Sequence, residues 1–173
     1  MGAVSRFNFL RGRFRGDPDA VRPPWTTDAF ADDCDRCGRC ERACPEKIIT
    51  QDRAGYPSVD FAAGSCTFCS ACVDACPTGA LVRDGERAPW GLKADIGAGC
   101  LSVNGVDCRV CGDHCEARAI RFRPLGRGRW LPEITGASCT GCGACVGPCP
   151  VKAISVRPNQ EMHQDEREVA ACG

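Results

Sequence analysis

Long apolar runs, net charge and aromatic side chains are all scarce in this sequence. No stretch approaches the roughly 18 apolar residues of a membrane-spanning helix, so we expect no transmembrane segment. The 22 basic residues balance the 22 acidic ones, and aromatic residues make up only 6% of the chain. Without a basic excess or a recognised nucleic-acid-binding motif, we expect no nucleic-acid partner.

An export signal is also missing from the N-terminal segment. Residues 5–11 contain Arg6 without an adjacent second arginine, so they do not form a twin-arginine motif. Residues 12–18 are charged where a signal peptide has an apolar stretch of about 7–15 residues. We therefore expect a cytoplasmic protein, in a compartment that keeps thiols reduced.

Apolar residues other than cysteine are too few for a large conventional core. Hydrophobic residues make up 43% of the 173-residue chain, but this figure includes 17 cysteines. Bound metal groups can supply folding free energy to a chain of this kind. The cysteines are therefore the feature that decides the structure.

Sixteen of the cysteines fall into four blocks. Three blocks read Cys-x2-Cys-x2-Cys-x3-Cys-Pro, and they are Cys34, Cys37, Cys40, Cys44; Cys66, Cys69, Cys72, Cys76; and Cys139, Cys142, Cys145, Cys149. The fourth block is stretched after its first cysteine and ends in Glu116 instead of proline; its members are Cys100, Cys108, Cys111, Cys115.

This spacing is the ligand run of bacterial ferredoxins that hold cubane 4Fe–4S clusters. Sixteen thiolates are enough for four such clusters, which is the cofactor content that we expect. Zinc also binds Cys-x2-Cys pairs, but its sites join two such pairs across a longer spacer and lack the Cys-Pro ending. A disulfide framework would need an oxidising compartment, for which no export signal argues.

The fourth cysteine of each block ligates the other cluster in two-cluster ferredoxins, so we predict crossed pairing. The predicted ligand sets are Cys34, Cys37, Cys40 and Cys76 for cluster 1; Cys66, Cys69, Cys72 and Cys44 for cluster 2; Cys100, Cys108, Cys111 and Cys149 for cluster 3; and Cys139, Cys142, Cys145 and Cys115 for cluster 4. Because each set is complete, no iron is left open for a substrate, and we do not expect an enzyme.

The repeat also predicts the fold. After each fourth cysteine we expect a short helix and then a strand. Hairpins are predicted for residues 48–51 with 58–61 and for residues 120–123 with 130–134, because turn residues lie between these strands. The fold class is thus α+β, with two tandem ferredoxin-like lobes that are rich in loops and organised around the clusters.

The remaining segments flank these lobes. Trp25 is expected to anchor the N-terminal arm against a lobe, with contact to a partner as the alternative. Cys172 is expected to be a free thiol that is not a cluster ligand, and His114 is also not expected to be a ligand. The expected division is an arginine-rich extended arm over 1–27, a first lobe over 28–84, a linker over 85–94, a second lobe over 95–157 and an acidic disordered tail over 158–173.

Several motifs outside the cysteines make the chain resemble the NapF family, the ferredoxin-type proteins of bacterial periplasmic nitrate reductase systems. These are the arginine-rich arm, the stretched Cys100 block, Arg22-Pro23-Pro24-Trp25, Gly55-Tyr56-Pro57-Ser58-Val59 and Arg121-Phe122-Arg123-Pro124. The resemblance implies a cytoplasmic accessory protein with four 4Fe–4S clusters, held by the sixteen cysteines. Its implied partner is the catalytic subunit of periplasmic nitrate reductase, as a cytoplasmic precursor that matures before export. A plain electron carrier is the alternative function.

Overall fold

The structure is a computed structural model that describes residues 16–85, 87–126 and 128–158. Predictions about residues 1–15, about Arg127 and about the tail with Cys172 lie outside these ranges. The chain forms two compact units, Met1–Asp60 with Cys69–Pro89 and Phe61–Phe68 with Trp90–Gly173. The limits predicted for arm, lobes, linker and tail stay predictions.

Within the described residues, the first unit contains three short helices and one hairpin. The helices are α1 (Phe30–Asp33), α2 (Arg39–Ala43) and α3 (Ala71–Asp74), and the strands are β1 (Ile49–Gln51) and β2 (Pro57–Val59). The strands pair antiparallel, with Ile49 opposite Val59. This confirms the first predicted hairpin. The Asp52 carboxylate closes its turn by accepting the N–H groups of Ala54 and Tyr56.

Trp25 fixes the segment that precedes α1. Trp25 is 3% exposed. Its backbone N–H donates to the Pro89 carbonyl at 2.6 Å, and its backbone carbonyl accepts the Val82 N–H at 2.9 Å. Thr26 then forms a bridge with Leu81. The prediction that Trp25 anchors this segment within the fold is confirmed.

Where the structure describes it, the second unit contains α4 (Val110–Asp113) and four strands, β3 (Leu92–Ile96), β4 (Ile120–Gly126), β5 (Arg129–Ile134) and β6 (Ile154–Pro158). β4 and β5 form the second predicted hairpin, which is confirmed and extends further towards its turn. β3 pairs antiparallel with β6, and Ile96 lies opposite Ile154. This second pairing was not predicted, because it joins segments that are distant in sequence and share no turn.

The position of the helices differs from the prediction. We expected them after the fourth cysteine of a block, but α2, α3 and α4 contain the third cysteine and end before the fourth. A turn follows the fourth cysteine instead. Its third residue has a left-handed backbone in every block, with φ of 53° at Lys47, 73° at Gly79, 48° at Arg118 and 50° at Lys152.

The apolar core of the second unit includes ligand candidates themselves. Cys111 and Cys145 are buried in one apolar group of side chains with Ile120 and Ile154, and Phe122 packs against this group. None of the helices within the described ranges has the length and apolar character that a membrane crossing requires. The short helices and strands make an α+β fold, and its buried residues include Cys72, Cys111 and Cys145.

Candidate iron–sulfur cluster sites

A cavity in the first unit brings together the four cysteines predicted for cluster 1. Its walls hold about 330 Å³ of empty space, part of it open to solvent, and they include Cys34, Cys37, Cys40 and Cys76. Cys34 and Cys37 come from the loop that leads into α2, Cys40 lies on α2, and Cys76 comes from the following block. The arrangement is the crossed pairing that a two-cluster ferredoxin needs.

Local backbone geometry wraps the first loop around this cavity. Arg36 and Gly38 have left-handed φ values of 58° and 67°, which turn the chain between successive cysteines. The Cys37 N–H donates to the Asp35 carboxylate at 3.1 Å, and the Arg42 guanidinium donates to the Cys37 carbonyl at 3.1 Å. Hydrogen bonds therefore hold the backbone of Cys37 at both its N–H and its carbonyl, within the loop that carries the thiols.

The turn after Cys76 supplies hydrogen bonds to its sulfur. Burial raises the pKa of Cys76, but the N–H groups of Leu81, Thr78 and Ala80 and the Thr78 hydroxyl outweigh it, so the pKa lies below its ordinary value. Donors that point at a sulfur stabilise its thiolate form. This cysteine is thus prepared to act as an anionic ligand.

A second cavity, in the second unit, brings together the four cysteines predicted for cluster 4. Its walls also hold about 330 Å³ of empty space and include Cys115, Cys139, Cys142 and Cys145. The Ala119 N–H donates to the sulfur of Cys115 at 3.3 Å. In this second cavity, as in the first, the fourth cysteine of one block joins the first three of another.

Two glycines allow the second loop to approach its neighbours closely. Gly141 and Gly143 have φ of 72° and 81°. A methyl group at Gly141 would meet the Leu92 carbonyl oxygen at 2.5 Å, and one at Gly143 would collide with the Phe61 ring. Glycine is therefore required at both positions by backbone angle and by space.

The candidates for cluster 3 also lie near one another. The neighbouring Cys100 and Cys108 add to the effect of burial in raising the pKa of Cys111, and Cys149 packs against the buried apolar group that contains Cys111. The Ala153 N–H donates to the sulfur of Cys149 at 3.3 Å. The stretched block therefore keeps its cysteines in range of a common site despite the missing proline.

The residues that lengthen this block form a closed turn. The Asn104 side-chain amide donates to the carbonyls of Ala98 and Cys100, both at 2.8 Å, and the Val106 N–H donates to the Leu101 carbonyl. The inserted residues thus fold back on themselves, and Cys100 stays close to Cys108.

The candidates for cluster 2 are divided between the units. Cys66 belongs to the second unit, whereas Cys44, Cys69 and Cys72 belong to the first. This ligand set stays a prediction. His114, which the sequence places inside the stretched block, is exposed at the end of α4.

Burial disfavours free thiolates at the bottom of the sites. Burial raises the pKa of Cys40 and of Cys111 to about 11 and that of Cys145 to about 12. The charge of bound iron reverses this preference and deprotonates a coordinating thiol. Within the described ranges no three Cys, His, Asp or Glu side chains are grouped to hold a single metal ion. Four thiols around a wider cavity, with N–H groups that point at sulfur, fit a cubane cluster.

One group at the second cavity was missed by sequence reasoning. The N–H of Ala94, on β3, donates to the sulfur of Cys139 at 3.4 Å. The sequence placed Ala94 in a linker, and only the β3–β6 pairing brings it to the site. The turns that follow the fourth cysteines could have been recognised from the sequence, because an alanine or an isoleucine lies four positions after the fourth cysteine of every block.

Comparison with known proteins gives the class. A family model described as a 4Fe-4S dicluster domain matches the chain twice, over residues 33–80 and 106–153. The second match begins after Cys100, the first cysteine of the stretched block. The chain is therefore an iron–sulfur protein of ferredoxin type with two 4Fe–4S dicluster domains in tandem.

Individual relatives give the family. "Ferredoxin-type protein NapF" of Escherichia coli K12 is 43% identical over 154 residues, which cover 88% of this chain and 93% of that protein. The protein of that name from Haemophilus influenzae is 39% identical over 175 residues, 94% of this chain and 97% of its own. "Methylamine utilization ferredoxin-type protein MauM" of Paracoccus denitrificans is 33% identical over 179 residues, 91% and 79% of the two chains. The chain belongs to the NapF family, as its motifs predicted.

Proposed function

We propose that this chain holds four 4Fe–4S clusters through its sixteen block cysteines and assists maturation of the catalytic subunit of periplasmic nitrate reductase. It would act in the cytoplasm, on the precursor before export, by loading or reducing the cluster of that subunit. The observation that carries the proposal is the 43% identity with a NapF protein over nearly the full length of both chains.

The ligand sets support a role in transfer and not in substrate chemistry. In each of the two cavities, four thiols from two blocks would complete the coordination of a cubane. When bound, such clusters exchange single electrons, and a full thiolate set leaves no iron open to a substrate. The residues of the chain hold the cluster, and N–H groups in the turns offset part of the charge on sulfur.

Exposure of one ligand supports contact with a partner. Cys37 is exposed, whereas Cys34, Cys40 and Cys76, which share its cavity, are partly buried. The first cavity therefore opens to solvent on the side of Cys37. A partner that docks there would approach the cluster closely enough to receive an electron or the cluster itself.

An anaerobic pull-down from cytoplasmic extract, with the cluster-loaded chain as bait, tests the proposal. We expect recovery of the nitrate reductase precursor and not of its mature exported form. A variant without residues 1–15 keeps Arg22 and Trp25, which are anchored in the first unit, so its iron content should be unchanged. Weaker recovery with this variant would assign docking to the arginine-rich arm. Recovery of redox enzymes alone would contradict the maturation role.

A second candidate function is electron carriage. Cys111 and Cys145, candidates for different clusters, lie in one buried group with Cys115 and Cys149 packed against it. Two clusters held there would be neighbours, which provides a path for electrons.

Iron labelling separates the two functions. The chain is loaded with isotopically labelled iron and mixed anaerobically with the cluster-free precursor. Label in the precursor supports maturation by loading. Retained label with reversible reduction by a cytoplasmic donor supports electron carriage, and reduction of the precursor cluster without transfer of label supports maturation by reduction.

A further inference from the structure

Strand β3 brings a cation and a hydrogen-bond donor to the same ligand of the second cavity. The Lys93 ammonium donates to the carbonyl of Cys139 at 2.6 Å, and the Ala94 N–H donates to the sulfur of Cys139 at 3.4 Å. Ala94 also forms part of the cavity wall. Both groups come from outside the cysteine blocks and act on one cysteine.

Pairing with β6 fixes these groups in place. Ala94 lies opposite Val156, which is buried, and Lys93 lies opposite Arg157. Like charges directly opposite each other on an antiparallel pair are destabilising. Among the described residues no carboxylate forms an ion pair with Lys93. Within the described part of the chain, the ammonium of Lys93 thus has the carbonyl of Cys139 as its hydrogen-bond partner.

Lys93 and the Ala94 N–H both affect how readily a bound cluster accepts an electron. Reduction adds an electron to a cluster that is already anionic with its four thiolates. A nearby cation and an N–H donor to sulfur both favour the more negative, reduced state. Lys93 is only partly exposed and is held by a hydrogen bond, so solvent screens it less than a mobile surface lysine.

We propose that Lys93 and the Ala94 N–H raise the reduction potential of the cluster held by Cys115, Cys139, Cys142 and Cys145. Lys93 acts as a positioning and tuning residue, since it touches a ligand residue and not the iron. The inference rests on 4Fe–4S binding and does not require the maturation role.

Spectroscopic redox titration of the cluster-loaded full chain tests the proposal. Electron paramagnetic resonance follows each reduction step while iron content confirms that the clusters are present. In Lys93→Met one step should move to more negative potential, and the others should stay. Arg157→Met is the matched control, because it removes the opposite cation, which hydrogen-bonds Ser155 and no ligand residue. Lys93→Arg should restore most of the shift.

Two further variants make the result decisive. Lys93→Gln keeps a donor for the Cys139 carbonyl but carries no charge, so the same downward shift is expected if charge is the cause. Cys139→Ser identifies the step of this cluster, whether its signal moves or disappears. The proposal is overturned if no step moves, if Arg157→Met moves the same step equally, or if the moving step is not the one that Cys139→Ser changes. Loss of the cluster in both uncharged variants would also overturn it, since Lys93 would then be structural.

Discussion

Arg22 holds the segment before α1 against the β1–β2 turn through the carboxylate of Asp52. The two groups lie 2.8 Å apart, and their side chains are 21% and 5% exposed. Arg22 also donates to the Pro57 carbonyl at 3.1 Å, and its guanidinium lies over the rings of Phe30 and Tyr56. Substitution Arg22→Met removes the charge and keeps most of the apolar contact with the rings.

The magnitude follows from what remains around Asp52. Removing one partner of a fully buried ion pair costs about 3–5 kcal/mol. The carboxylate of Asp52 keeps three N–H donors, from Asp17, Ala54 and Tyr56. Because Asp52 keeps these donors and the Arg22 side chain is 21% exposed, losing the ion pair should cost less than this range, and with the lost cation–π contacts the total should be about 2–3 kcal/mol.

The assay is the rate of cluster loss in guanidinium under anaerobic conditions, because unfolding that releases clusters is not reversible. If the pair is absent from the transition state, the whole cost appears in the unfolding rate. At 1.4 kcal/mol for each factor of ten, Arg22→Met should lose clusters roughly 30- to 140-fold faster. Asp52→Asn and the double variant complete a double-mutant cycle. A change below about threefold, or purely additive effects, would refute the reasoning.

The same pair predicts a pH dependence. Burial raises the pKa of Asp52, but hydrogen bonds from Arg22 and from the N–H groups of Tyr56, Ala54 and Asp17 outweigh it and hold the pKa below its usual range. Its stabilisation is therefore complete above the unfolded-state pKa of about 3.9 and is lost as pH falls through the lower folded value. Asp52→Asn should lose clusters faster than the native chain at neutral pH, with the difference shrinking below about pH 4. A difference that stays constant with pH would contradict this account.

Two further predictions concern the cluster sites. An alanine at Gly143 or Gly79 must adopt the left-handed backbone of that position, with φ of 81° and 73°, which costs about 1 kcal/mol each. At Gly143, but not at Gly79, the added methyl group also collides with Phe61. Gly143→Ala should therefore lose clusters faster in guanidinium than Gly79→Ala, and equal rates would argue against the close approach. Cys76→Ala should lower iron content by about four atoms per chain, while Cys172→Ala leaves it unchanged. Iron analysis of both variants checks this, and an unchanged count in Cys76→Ala would remove this cysteine from the ligand set.

Local signals explain which elements could be predicted. Both hairpins have turn residues between two short segments that contain aliphatic or aromatic residues, and the turn before β2 is closed by Asp52 and by Gly55 with φ of 81°. Such signals act over a few residues, so sequence alone finds them. The ligand sets of two cavities follow from the spacing of the cysteines, which is also local, combined with the crossed pairing of ferredoxins.

Other features depend on tertiary structure or go against residue preference. The third and fourth cysteines of a block are four residues apart, which is the spacing of one helical turn, and this signal would have placed the helices correctly. The left-handed backbone at Lys47, Arg118 and Lys152 carries no such signal, because long side chains rarely adopt it. β3 and β6 pair across the whole sequence of both cysteine blocks of the second unit, so no local signal in the sequence shows the role of β3 at Cys139.

The closed turn between Cys100 and Cys108 has a use in protein engineering. Asn104 holds the turn through hydrogen bonds to Ala98 and Cys100. The residues at the tip of the turn are neither ligand candidates nor part of a strand. Gly105 and Val106 are exposed there, and Gly105 has φ of 85°. A reporter group or short peptide tag inserted after Gly105 should leave the iron content of the chain intact. This position offers a handle beside one cluster for distance measurements by spectroscopy.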